Sequence, residues 1–363
     1  MNLRIKKIDW YIIKKFMMTF FIALLLIIGI VIIFDISEKI NHFVENHAPL
    51  RAIIFDYYLN WIPYFMNMFS PLFVFITVIF FTSRMAANSE IIAILSCGVS
   101  YSRMMRPYII SATLIALLSL GLNLWVIPRS NVQRVQFETR YVKQRNPFNS
   151  THVHYQIDPG KFVYVESFSS WNNTAYNFTL EEIRDNKLVS KLSAETAVWD
   201  STAGAWQLNR YFKREYGDGL QDKVTSGARL DTVLSLTVTD FYRNKKTVET
   251  LPIKQLNQLI RTQNMRGDAN VMYAEIEKHT RYALPFSAFI LTIMGVCLSS
   301  RKRRGGIGLN IGIGIALSFT YILFLRFSQM FVYSGSMSPM LALWLPNIIF
   351  GIIAAVLYYK ASR

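Results

Sequence analysis

Apolar residues gather into six long runs, at about 16–34, 58–82, 108–127, 282–299, 307–331 and 339–359, and a long polar stretch separates the third from the fourth. Each run is close to the roughly 20 residues with which a helix crosses a hydrocarbon core about 30 Å thick, where backbone groups must bond to one another. The pattern predicts an α-helical integral membrane protein with six transmembrane helices, three on either side of an insertion.

Inside the insertion the period changes. Thr174, Tyr176, Phe178 and Leu180 alternate with Ala175, Asn177 and Thr179, and Trp206, Leu208 and Phe212 keep a similar period of two. Asp158-Pro159-Gly160, Trp171-Asn172-Asn173, Asp185-Asn186, Ala203-Gly204 and Gly217-Asp218-Gly219 supply turn chemistry between such runs. These short strands predict an inserted all-β domain, a sandwich or jelly roll; the plainest role for it is a simple extracytoplasmic cap. Beyond the strands, Pro252 can open a helix with Leu256, Leu259 and Ile260 on one face, and Gly267 can close it. A polar helix from about Ala269 to His279 then leads straight into the fourth span and would couple the β domain rigidly to the membrane. The expected organisation is therefore spans one to three at 1–128, a β domain at 129–250, connecting helices at 251–280 and spans four to six at 281–363.

Charge orients the spans. The segments before span one, between spans two and three, between spans four and five and after span six hold fourteen Lys or Arg residues against two acidic ones, Asp9 and Glu90. Such a bias marks cytoplasmic loops, so both termini are expected inside and the β domain outside, in the periplasm of a diderm bacterium. The net charge of +16 raises the question of nucleic acid. Most of that excess lies in the expected cytoplasmic segments, whereas 129–281 carries 22 basic and 17 acidic residues, so no nucleic-acid partner is expected. The first run is too long for a usual signal-peptide core and is followed by Asp35 and Glu38, which reads as a retained anchor. The two cysteines, Cys97 and Cys297, lie outside the β domain, which must be held by its core rather than by disulfides.

The stretch between spans two and three carries the sharpest functional signal. Asn88 or Ser89 can cap a short helix near 88–98, with Ile91, Ile94 and Leu95 on its apolar face and Gly98 at its end. Two readings stand evenly: an interfacial helix lying on the bilayer with Glu90 at the positive end of its dipole, or a docking helix for a cytoplasmic partner.

Several segments resemble the LptF/LptG lipopolysaccharide export permeases. Asn88-Ser89-Glu90-Ile91 through Ser96-Cys97-Gly98 to Arg106-Pro107 is similar to the family's cytoplasmic helix, and Glu277-Lys278-His279 through Tyr282-Ala283-Leu284-Pro285-Phe286 to its fourth span. Residues 192–208, with Ala194-Glu195, Trp199-Asp200, Gly204 and Trp206, resemble its periplasmic strand pair, and Trp344-Leu345-Pro346-Asn347 its last span. The order of these motifs covers nearly the whole chain, with the LptG-like role somewhat favoured over the LptF-like one.

The resemblance implies a permease subunit of an ABC transporter that extracts lipopolysaccharide from the bacterial inner membrane. Its implied partners are a cytoplasmic LptB-like ATPase dimer, a paralogous LptF-like or LptG-like half-permease, a single-span LptC-like protein and a periplasmic bridge of related jelly rolls. Glu90, with Ile91, Ile94 and Leu95, would seat in the ATPase, and the β domain would pass lipid onward through interior positions such as Phe178. ATP would be bound by the partner, with no cofactor on this chain.

The residues agree with borrowed energy. No Gly-x-x-x-x-Gly-Lys-Ser/Thr loop is present to cradle nucleotide phosphates. Gly306, Gly308 and Gly312 open a membrane span and read as close helix packing. Arg326 is the one basic residue inside an expected span, and Lys39 lies one turn beyond Asp35. Both are candidates for contact with substrate phosphates in a lipid-admitting cavity; the plainer alternatives are that Arg326 snorkels and that Lys39 pairs with Asp35. The family tends to carry several basic residues at the end of span one, where this chain has Asp35 and Glu38 beside Lys39. His152-Val153-His154 is the one close histidine pair, and without a third ligand no metal is expected there. An enzyme is not expected for want of a nucleophile constellation. A secondary transporter would need polar groups deep in broken spans, for which Asn67, Pro63, Pro71 and Pro346-Asn347 are the candidates. That reading, and a mechanotransmitting ABC-type subunit that handles no lipopolysaccharide, remain as alternatives.

Overall fold

The computed structural model describes residues 6–142, 149–169, 171–217, 222–241, 248–268, 270–300 and 306–362. Expectations resting on Arg4, Asp218, Gly219, Ala269, Arg363 and the basic run 301–304 fall outside them. Among the described residues six helices are long and apolar enough to cross a membrane: Lys7–Glu45, Leu50–Ala87, Tyr101–Val142, Val271–Ser299, Gly308–Tyr333 and Pro339–Ser362, hereafter spans 1 to 6. Span 1, at 39 residues, is about 58 Å long and therefore runs well past the hydrocarbon on one or both sides. The connecting helix Ile253–Met265 is followed by Gly267, whose φ of +62° closes it, and Val271–Ser299 is one helix that carries the expected polar segment into span 4.

The chain forms two compact units. One comprises Met1–Val142, Glu249–Ile253 and Glu275–Arg363; the other comprises Lys143–Val248 and Lys254–Ala274. In the membrane unit, spans 2 and 4 are mostly buried and spans 1, 5 and 6 turn most of their surface outward. Two glycines make that packing possible. A side chain at Gly295 of span 4 would stand 2.8 Å from Val78, and one at Gly314 of span 5 would stand 2.5 Å from Ile79, so both helices approach span 2 closely. The sequence directed attention instead to Gly308 and Gly312, which have open space where a side chain would be. They share a helical face with each other, and Gly314 lies on the far side of the helix from Gly312.

The inserted unit is a single six-stranded antiparallel sheet in consecutive order: β1 (Asn149–Asp158), β2 (Lys161–Ser169), β3 (Thr174–Arg184), β4 (Lys187–Asp200), β5 (Ala205–Glu215) and β6 (Lys223–Thr232). The inserted β domain stands, but its connectivity is a meander rather than the two facing sheets of a sandwich or the crossovers of a jelly roll. Two-residue turns pair β1 with β2 and β3 with β4, and lateral pairing of β2 with β3, β4 with β5 and β5 with β6 completes the order. Asp185 and Asn186, at φ of 49° and 62°, join Arg184 to its partner Lys187. Gly160, at φ +76°, sits where an added Cβ would meet the Ile183 carbonyl oxygen at 2.4 Å, and its own carbonyl accepts from the Ile183 N–H at 2.7 Å. Across the sheet Val165, Phe178, Ala194, Tyr211 and Gly227 stand in register, with the Tyr211 ring over the bare Gly227.

Candidate coupling helix and lipid-contact residues

The short helix between spans 2 and 3 runs Glu90–Ser96. Ser89 enters it in the left-handed conformation at φ 60° and makes no side-chain cap; Gly98 leaves it at φ +77°. The hydroxyl of Ser100 caps the start of span 3 instead, accepting from the Arg103 N–H. Ile91 is 1% exposed and belongs to a cluster with Phe16, Phe81, Met85, Met104 and Tyr108, against which Ile94 and Leu95 also pack. The apolar stripe read from sequence therefore anchors the helix on its own spans. Ile92 is the large apolar side chain that the helix turns outward, at 51% exposure, and helical spacing gave no reason to single it out.

Glu90 is half-buried. One carboxylate oxygen accepts from the Tyr11 hydroxyl at 3.2 Å, the other from the Asn88 amide at 3.4 Å. Tyr11 in turn accepts from Lys15, whose ammonium also lies 4.5 Å from the Tyr11 ring centre. Beside this, Arg103 donates two parallel bonds to Asp9, at 2.7 and 2.6 Å, and Asp9 also accepts from the Lys6 N–H. A planar guanidinium against a carboxylate fixes angle as well as distance, so the starts of spans 1 and 3 are clamped next to the short helix. Asp9 and Glu90, the two acids of these basic segments, are thus the two groups on which the frame closes.

The lipid-contact candidates fall in different settings. Lys39 is engaged by Asp35, by the Tyr57 hydroxyl and by the Tyr57 ring at 4.8 Å, while Tyr58 donates to the other Asp35 oxygen at 3.0 Å. Its charge is answered within the chain. Arg326 is exposed on span 5 and donates to the Met68 sulfur at 3.1 Å, a weak acceptor that leaves most of the guanidinium's donors available. Phe178 is 1% exposed in the β domain, within a cluster that includes Val163, Phe168, Ala197, Trp206 and Leu208. The segment after β6 closes over this face: Phe241 stacks on Phe168 at 4.4 Å, and the Leu236 carbonyl accepts from the Trp206 indole at 2.8 Å.

The intramembrane polar groups hold helices together. Asn67 donates to Asn123 at 2.7 Å and accepts from Ser119 at 2.6 Å; Asn347 accepts from Tyr321 and donates to the Ala283 carbonyl, both at 2.8 Å. Pro285 lacks the N–H that would reach the Arg281 carbonyl, and the Asn123 amide donates there at 3.4 Å. Further out, Arg134 and Arg281 are each under 5% exposed. Arg134 meets the Glu249 carboxylate at 3.3 Å and the Tyr64 ring at 4.5 Å; Arg281 meets Glu277 at 2.7 Å and the Leu251 carbonyl at 2.8 Å. This buried cluster pins Glu249–Ile253 into the membrane unit, and nothing in the spacing of its members announced it. In the β domain, His152 shares a hydrogen bond with the Tyr164 hydroxyl at 3.1 Å, and the His154 ring lies 4.5 Å from that of Tyr164.

A family model described as "Lipopolysaccharide export system permease LptF/LptG" matches residues 10–360. No curated protein matches the chain.

Proposed function

From the chain's membership of the LptF/LptG family of lipopolysaccharide export permeases, we propose that it is one membrane subunit of an ABC exporter. It extracts lipopolysaccharide from the inner membrane and passes it toward a periplasmic bridge. In this reading both termini are cytoplasmic, which the basic segments support, and the β domain is periplasmic. The ATPase dimer, the paralogous half-permease, the LptC-like protein and the bridge are its partners, and ATP is bound by the ATPase alone.

The observation that carries this reading is the short helix at Glu90–Ser96: anchored inward by Ile91, turned outward at Ile92, and tied by Glu90 and Tyr11 to span 1. A partner that pushes on its outer face moves a lever whose root is already packed into three spans. Closure of the ATPase would then displace spans 1 to 3 together and squeeze a cavity shared with the paralogue. Arg326, with donors to spare, is the favoured phosphate contact; Lys39 reaches a phosphate only by giving up Asp35. A photo-cross-linking residue at Ile92 should yield an adduct with the ATPase in the assembled complex, and one at Ile91 should yield none. An adduct absent at Ile92, or equal at both positions, contradicts the docking role. Arg326→Leu should weaken cross-linking of lipopolysaccharide to span 5.

The filled inner face of the sheet favours a second reading for this subunit's β domain. With Phe178, Trp206 and Phe241 packed together, the domain would relay motion while the paralogue's domain takes the lipid. Lipid adducts from a cross-linker at Phe178 during turnover support passage through this domain; adducts confined to the paralogue support the relay.

A further inference from the structure

A groove of about 640 Å³ opens on the membrane unit between spans 3, 4 and 6. Its walls include Ser102, Arg106 and Ile109 of span 3, Ile290 of span 4, and Gly351 and Tyr358 of span 6. Ser102, Arg106 and Ile109 recur at helical spacing on one face, so the groove follows span 3 for about 10 Å from its start, against about 15 Å for the hydrocarbon of one leaflet. The floor is apolar, and the polar groups gather at the end nearest the start of span 3.

Arg106 stands at that end, exposed, with no hydrogen bond or carboxylate among the described residues. Its neighbour Arg103 is in the opposite condition, paired through both terminal nitrogens to Asp9. A guanidinium at the lip of an apolar slot on a membrane-facing surface matches a molecule with an anionic head and a hydrocarbon tail. Gly351 enlarges the slot: apart from the backbone of its own helix turn and its chain neighbours, nothing lies within 4 Å of where its Cβ would be, which leaves room there for an occupant of the groove.

We propose that this groove binds one acyl chain of an anionic phospholipid from the leaflet on the side of the chain termini, with Arg106 on its phosphate. The site is separate from the residues assigned to lipopolysaccharide export and does not depend on that assignment. Seating a lipid between spans 3, 4 and 6 would fasten the two halves of the membrane unit at the level of the short helix.

The full-length chain, carrying a photo-cross-linking residue at Ile290, is reconstituted in vesicles of equal parts phosphatidylglycerol and phosphatidylcholine. Adducts should favour phosphatidylglycerol about fivefold, the preference expected of one basic residue at an anionic surface. Arg106→Gln should bring the ratio to about one, and Arg106→Lys should keep most of it. Gly351→Leu, which puts a branched side chain into the slot, should remove adducts of both lipids while the protein still elutes as a folded species. Equal labelling of the two lipids by the native chain, a preference unchanged by Arg106→Gln, or an adduct with a protein in place of lipid would overturn the proposal.

Discussion

A buried cation persists only beside its counter-charge, and Glu249 is the acid that makes Arg134 tolerable in the membrane unit. Replacing one partner leaves the other desolvated and unpaired, which costs about 3 kcal/mol or more. Glu249→Ala should therefore lower the thermal midpoint of the detergent-solubilised subunit well below that of the parent. An unchanged midpoint would mean that Glu138, 3.6 Å from Arg134, holds the charge by itself. Single charges in conspicuous places were legible in the sequence: Glu90 and Asp9 among basic residues, Arg326 within an apolar run. Their partners were not. Tyr11 and Glu90 are 79 residues apart, Arg103 and Asp9 are 94 apart, and Arg134 and Glu249 are 115 apart, and no local pattern joins positions that only the packed spans bring together. Lys39 was ambiguous for the opposite reason. Its partner Asp35 is one helical turn away, so the pairing was visible, while the two tyrosine hydroxyls that complete the cage around Asp35 come from span 2.

The elements were more legible than their contacts. Period and turn chemistry located the six spans and the hairpins at Asp158-Pro159-Gly160 and Asp185-Asn186. They pointed to a sandwich or jelly roll and not to the meander that is found, since strand order is fixed by long-range pairing and not by the length of any one strand. Gly160 shows how tightly a hairpin is specified: Gly160→Ala combines a positive φ with a 2.4 Å approach to the Ile183 carbonyl. The β1–β2 hairpin should be destabilised by roughly 1–3 kcal/mol. Faster proteolysis within the β domain, with the spans intact, is the expected readout, and an unaltered cleavage rate would contradict it. Helix faces were harder still. Ile91, Ile94 and Leu95 were correctly gathered on one side of the short helix, but whether that side met a partner or the chain itself depends on the neighbouring spans. With Ile91 buried, the outward face begins at Ile92.

On the scale of the whole molecule, the membrane unit carries the helix Glu90–Ser96 on the side of the termini, and the proposed function makes that helix a lever. Coupling between partner and lever is a difference in free energy between two arrangements, and a single contact that holds the lever in register typically governs a factor of about five or more. Glu90→Ala removes the carboxylate that Tyr11 and Asn88 hold, without disturbing the Ile91 anchor. It should lower ATP-driven lipid release by about fivefold while leaving the ATPase bound and the subunit folded. Tyr11→Phe, which removes only the hydroxyl that Glu90 accepts from, should give release between that of the parent and that of Glu90→Ala.

The central claim is that this chain has no motor and takes work from a nucleotide-hydrolysing partner through Glu90–Ser96. The most direct measurement is lipopolysaccharide release from vesicles containing this subunit, its paralogue and the ATPase, with and without ATP. The account predicts release that requires both ATP and the ATPase and that drops with Glu90→Ala. Release without the ATPase, or release indifferent to Glu90→Ala, would contradict it.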